Sequence, residues 1–158
     1  MTDCTPDDCV PIEPFPRLAT SGAFVSRDPD TSRLRVRYFH RTTDDAIVAT
    51  VWFGPGTEGP PGHAHGGSVA AVLDEAMGAA AWHAGHPVVA ARLTVDFRQM
   101  VPVNVAAIAE ARVERIDGRK VRTRGRLVSG SGLVFAESHG LFIILEDEQL
   151  QRLAVDMR

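Results

Sequence analysis

The residues best suited to chemistry stand close together: Gly62-His63-Ala64-His65-Gly66-Gly67-Ser68, then Asp74 and Glu75. A glycine-rich stretch that runs into a helix ends on backbone N–H groups with no intrahelical partner and a partial positive charge. Two adjacent glycines let a ligand approach that backbone closely. Such a helix end can polarise a carbonyl and hold the oxyanion that forms when the carbonyl is attacked. Asp74 supplies the complementary group, a carboxylate among alanines and valines, where a charge without a partner is costly. A lone aspartate in an arbitrary helix usually faces solvent or bonds a neighbouring loop, but the apolar neighbours of Asp74 leave little of this helix for water.

Spacing decides how these groups can cooperate. Gly66 and Asp74 are eight positions apart, roughly 12 Å along a helix rising ~1.5 Å per residue. A reacting carbon must lie ~3 Å from both a donor and a nucleophile. One helix cannot meet that condition. Two antiparallel helices from paired subunits can, each lending its N-terminus to the other's carboxylate, so a homo-oligomer with sites at a twofold interface is expected. Glu75 points about 100° away from Asp74 and is not expected to face the same substrate.

The elements that must position this segment follow from periodicity. Leu34, Val36 and Tyr38 alternate with Arg33, Arg35 and Arg37, the pattern of a half-buried strand. Asp44 and Asp45 mark a turn, and Ala46 to Phe53 reads as a second strand. Gly54 to Gly62 holds three prolines and four glycines and must be a loop. A long helix opens at Gly66-Gly67-Ser68 and runs through Val69, Val72, Leu73, Ala76, Met77 and Ala80 to about His83, ending near Gly85. With Asp74 and Glu75 as its only charged residues, it is suited to being wrapped on most of its circumference. Leu93, Val95 and Phe97 then alternate with polar residues, Val105 to Ile116 follows, and Asp117-Gly118 turns the chain into Lys120 to Leu127. Leu133 to Leu145 closes the series. Strand, strand, helix, then four strands predicts an α+β fold, an antiparallel sheet curling around one long central helix. Residues 1–32 read as a poorly ordered or extended leader with six acidic residues against two arginines. Phe15, Leu18 and Phe24 are available in it to dock a short helix. Residues 33–146 form the domain, and 147–158 a charged tail.

Composition narrows the function. A single core fits 158 residues. A net charge of −3 opposes dedicated nucleic-acid binding. Cys4 and Cys9 make neither a disulfide framework nor a four-ligand zinc site. The acidic first residues do not read as a signal peptide, and no apolar run approaches the ~18 residues that cross a bilayer. A cytoplasmic protein without a membrane partner is the expectation.

His65-Gly66-Gly67, Asp74 nine residues after the histidine, and the stretch from Ala91 that ends in Arg98-Gln99-Met100-Val101-Pro102 resemble the hotdog-fold acyl-CoA thioesterases. The likeness is to the phenylacetate-pathway-like and human thioesterase-superfamily-like branches, over about residues 34–145. It implies a curved antiparallel sheet on a central helix, dimers with joined sheets that can pair into tetramers, and hydrolysis of acyl-CoA. It also implies roles. Asp74 would be general base or nucleophile, the Gly66 N–H (with Gly67 as the near alternative) would polarise the carbonyl, and His65 would flank the thioester. Arg98, Ala90 and His63 would contact substrate or CoA. No metal or cofactor is required. Two positions depart from the family: Gly59 stands where many relatives carry asparagine, and Ala90 where many carry serine or threonine.

Other readings compete. An acyl-CoA-binding protein without turnover is favoured by Ala90. A hydratase would need an aspartate–histidine pair in a different motif. His63-Ala64-His65 could begin a cupin metal site, but the next acidic residue is Asp74, inside the helix. The seven basic and three acidic residues from Glu110 to Arg126 read as a solvated strand face, or as cations for the CoA phosphates. Trp52 and Trp82 read as core or acyl-pocket lining, His83 and His86 as helix-terminating residues, and His139 as structural.

Overall fold

A computed structural model describes residues 8–13, 23–27 and 30–155, with the Val155 side chain excepted. The strands are β1 (Cys9–Pro11), β2 (Leu34–Arg41), β3 (Ala46–Phe53), β4 (Val88–Phe97), β5 (Ala106–Asp117), β6 (Lys120–Ser129) and β7 (Val134–Ile144), and the helices are α1 (Gly66–His83) and α2 (Asp147–Val155). The strands form one antiparallel sheet in the order β1-β2-β3-β5-β6-β7-β4. Its register shifts between Ala90 and Arg92, Val113 and Arg115, and Leu127 and Val128. Bulges of this kind increase twist and bend the strand that carries them, which lets the sheet curve around α1.

Helix α1 lies against β3, β4, β5, β6 and β7. Val69, Val72, Leu73, Ala76 and Met77 are buried and join Phe53, Val121, Leu127 and Phe142 in one core. Each large apolar side chain in such a core contributes about 1.5–3 kcal/mol. Gly125 makes the close approach possible, because a Cβ there would lie 2.7 Å from Ser138 Oγ and 3.2 Å from Met77 Cγ. On the other face of the sheet Val48, Ile108 and Val128 form a small separate cluster.

Both ends of the chain carry more structure than the sequence indicates. β1, inside the expected leader, pairs with the outer edge of β2, with Val10 opposite His40. Cys9 at its start is buried and disulfide-bonded, while Cys4 lies outside the described residues. Of the three side chains expected to dock a leader helix, Phe15 and Leu18 lie outside the described residues, and Phe24 is 67% exposed in a turn. Its neighbour Val25 docks instead, 4% exposed and part of the core. In the charged tail, Asp147–Val155 forms α2, with acidic residues in its first turn and Arg152 in its last, the order its dipole favours.

β4 differs from its alternating pattern. Leu93 and Val95 pack on the core, but Phe97, expected on the same face, is 55% exposed. The strand is the last in the sheet, and no strand among the described residues pairs with its outer side.

Candidate active site

The loop before α1 is held by a short ladder of backbone hydrogen bonds. Ala64 N–H donates to Val101 O (2.8 Å), Val103 N–H to Gly62 O (3.1 Å) and His65 N–H to Thr57 O (2.7 Å). Thr57 is buried and donates its hydroxyl to Gly54 O at 2.7 Å, which closes the loop from inside. His65 therefore enters the helix from a fixed extended conformation, φ −62° and ψ 137°. It is the N-cap: its Nδ1 accepts the Gly67 N–H at 2.9 Å. Because Nδ1 accepts, the neutral ring carries its proton on Nε2, which is left to donate elsewhere. The cap also engages Gly67, so of the two expected oxyanion donors only Gly66 remains outside it. The Phe97 ring lies above Gly66, 3.3 Å from where a Cβ would stand.

Two turns along α1, Asp74 is half-buried and its Oδ1 has no hydrogen-bond partner among the described residues. Burial holds its pKa above the usual aspartate value. An unsatisfied carboxylate oxygen in such a place costs ~1–3 kcal/mol or more, the pattern of a group kept ready for something else. Asp74 opens onto a cavity of about 440 Å³ whose walls include Ala71, Gly78, Val88, Ala90 and Phe142. Ala90, picked out from the sequence for its missing hydroxyl, thus shares the cavity with Asp74.

Glu75 lines the same cavity, contrary to the expectation from helix geometry. Adjacent helix residues diverge by about 100°, but the cavity is wide enough to meet both. Glu75 accepts the Tyr38 hydroxyl at 2.9 Å and is also bonded by the side chain and backbone of Ser26. Burial, opposed by those hydrogen bonds, raises its pKa to about 7, and Asp74 adds to the rise. Desolvation by burial, with the Glu75 carboxylate beside it, also pushes the Tyr38 hydroxyl well above its ordinary value. Sequence reading missed Tyr38 and Ser26 as parts of the site. The signal for Tyr38 was a phenol at a core-facing position, since a buried hydroxyl requires a partner.

The remaining candidates do not converge on the cavity within one chain. His63 is half-buried and its ring Nδ1 lies 2.9 Å from Pro61 O. Arg98 is exposed and pairs with Glu137 at 3.2 Å. His65 and Gly66 sit at the helix end, two turns from Asp74. Trp52 packs under the Arg35 guanidinium (4.2 Å), and Trp82 donates to Val88 O (3.1 Å); neither lines the cavity. His83 stacks on His40 with ring centres 4.3 Å apart. The basic stretch forms an exposed sheet face on which His139 stands opposite Arg124 and Thr94. Five of its arginines have carboxylate partners: Arg126 with Arg41 holds Glu110, Arg112 reaches Asp44, Arg115 Asp117, Arg119 Glu146 and Arg124 Glu114.

Comparison with known proteins agrees with this architecture. Residues 61–136 match the model of the thioesterase superfamily. Over 108 residues the chain is 36% identical to acyl-coenzyme A thioesterase THEM4 of Xenopus laevis, covering 68% of this chain and 49% of that one. The chain spans about half the length of the curated relatives it matches. The crystal structure of a thioesterase superfamily protein aligns with a TM-score of 0.65 at 30% identity, over 69% of this chain and 53% of the other. A Bacillus halodurans protein crystallised with CoA aligns with a TM-score of 0.58 at 23% identity, over 62% of this chain and 66% of that one, a likeness of fold. With its seven-stranded antiparallel sheet wrapped on α1, this chain has the hotdog fold, and its segment from the helix loop into β7 matches the thioesterase superfamily.

Proposed function

We propose that the protein hydrolyses acyl-CoA thioesters, with Asp74 as the reacting carboxylate. The observation that carries this reading is Asp74 in the wall of a largely apolar cavity, with one buried carboxylate oxygen that has no partner among the described residues. The acyl group occupies that cavity, and the thioester carbonyl lies at its mouth. Asp74 either takes a proton from water, whose oxygen then attacks the carbonyl carbon, or attacks that carbon itself to give an anhydride that water cleaves. In both courses the C–S bond breaks, the sulfur leaves with the electron pair as CoA thiolate, and the carboxylic acid is released.

Oxyanion stabilisation comes from a second copy. The exposed edge of β4 pairs with its twin, joining two sheets and setting two α1 helices antiparallel, and such dimers can pair again. This brings the Gly66 N–H and the His65 Nε2–H of one subunit to the carbonyl beside Asp74 of the other. Arg98 and His63 contact the CoA portion.

The test is thiol release from a panel of short, long and aromatic acyl-CoAs. Release that disappears in Asp74→Asn supports the reading, and release retained in that variant ends it. Ala90 favours one competitor, a hotdog protein that binds acyl-CoA without turnover, because no hydroxyl there can hold a water. Tight binding of CoA esters with no thiol release from any of them would select that competitor.

A further inference from the structure

Ala23 to Arg27 lies outside the sheet yet belongs to the cavity. The Arg27 N–H donates to Ala23 O at 3.2 Å and closes these residues into a single turn. Ala23, Phe24 and Val25 line the cavity, and Val25 is sunk in the core. Ser26 is a polar attachment of the turn, bonding the Glu75 carboxylate through both its hydroxyl and its backbone N–H. On the other side the same carboxylate takes the Tyr38 hydroxyl from β2.

Two adjacent carboxylates thus face one cavity in opposite conditions. Asp74 has a buried oxygen without a partner, whereas Glu75 has three protein donors from two separate parts of the chain. A carboxylate so engaged is poorly placed to attack or to accept a proton from substrate, but well placed to hold structure. Of the apolar side chains in the turn, Val25 is buried and Phe24 is largely exposed.

We propose that Glu75 is a positioning residue that clamps the Ala23–Arg27 turn across the cavity through Ser26, making Phe24 and Val25 a wall that selects acyl groups of short to medium length. This rests on the acyl-CoA reading above. With the clamp intact, the apolar space ends at the turn. With it released, the turn swings out and longer chains enter. The chemistry stays with Asp74 throughout.

The experiment compares kcat and KM for butyryl-CoA and lauroyl-CoA in the wild type, Ser26→Ala, Glu75→Ala and Glu75→Gln, with amide hydrogen exchange of residues 23–27 measured on the same proteins. The expected result is a rise of about tenfold in the lauroyl-to-butyryl ratio of kcat/KM for Ser26→Ala and Glu75→Ala, the scale on which a pocket discriminates small apolar differences. It is carried by KM for lauroyl-CoA, accompanied by faster exchange in the turn. Glu75→Gln, which keeps an oxygen acceptor, shifts both readouts less. An unchanged ratio overturns the selection, whatever the exchange shows. A loss of kcat equal for both substrates also overturns it, by making Glu75 part of the chemistry. If the wild type hydrolyses no acyl-CoA, the acyl-CoA reading fails and exchange alone judges the clamp: unchanged exchange in Ser26→Ala overturns that as well.

Discussion

Gly59 packs directly on His65: a Cβ at position 59 would stand 2.8 Å from the His65 Cα and 3.1 Å from its ring Cδ2. The glycine at a position where many relatives carry asparagine is therefore part of how this chain seats its capping histidine. Gly59→Asn must push His65 away rather than restore a family contact. The expected outcome is loss of about 1 kcal/mol of stability, the worth of an N-cap, together with a fall in kcat/KM. Urea denaturation and thiol release measure the two; an unperturbed variant would show that the loop can open without disturbing the helix end.

The inter-subunit site can be tested by complementation. His65 already has the extended backbone that a residue before proline prefers, and Gly66 is the first residue of α1, where proline is tolerated. Gly66→Pro thus removes the N–H with little cost to the helix. Asp74→Asn and Gly66→Pro should each be inactive alone. Mixed in equal amounts and reassembled, they should recover about a quarter of wild-type activity, because half the dimers are hybrid and each hybrid has one intact site. No recovery would place both groups in the same subunit's site.

Ala90→Ser adds a hydroxyl to the cavity that holds Asp74. A hydrogen bond from it, or from a water it holds, is worth ~0.5–1.5 kcal/mol, so kcat should rise roughly two- to tenfold. Steady-state kinetics at saturating substrate check this. A fall in kcat would mean that the methyl group is required for the acyl chain to fit.

Asp74→Asn should also raise stability at neutral pH while abolishing turnover. It removes a carboxylate that burial disfavours and whose Oδ1 has no hydrogen-bond partner among the described residues. A higher urea midpoint with no thiol release is the expected pair of results; a lower midpoint would reveal a partner for Asp74.

Glu75 links stability to pH. It faces Tyr38 from β2, Ser26 from the turn and Asp74 from its own helix. Its pKa rises from 4.5 in the free group to about 7 when folded, so the folded state favours the protonated form. That stabilisation is fully present below pH 4.5 and is lost as pH rises through 7, amounting to a few kcal/mol at most. The urea midpoint of the wild type should therefore fall between pH 5 and 8 more steeply than that of Glu75→Gln. Parallel profiles would remove Glu75 as the source.

Local patterns carried much of this protein into view. The alternation in Leu34–Arg41 and Ala46–Phe53, the apolar surface of Gly66–His83 and the glycines before it depend on neighbours within a few residues, and α1 and β3 have the bounds read from the sequence. The histidine–glycine–glycine loop and Asp74 were legible for the same reason, as residue types at helical spacing. Only the tertiary structure decided that β4 lies at the sheet edge, which exposes a phenylalanine its pattern would bury. It alone brought Tyr38 to Glu75 across 37 residues and laid the Ala23–Arg27 turn against the same carboxylate. Periodicity reports which face of an element is apolar. It cannot report which distant hydroxyl will meet a carboxylate there, because that contact is set by the packing of whole elements against one another.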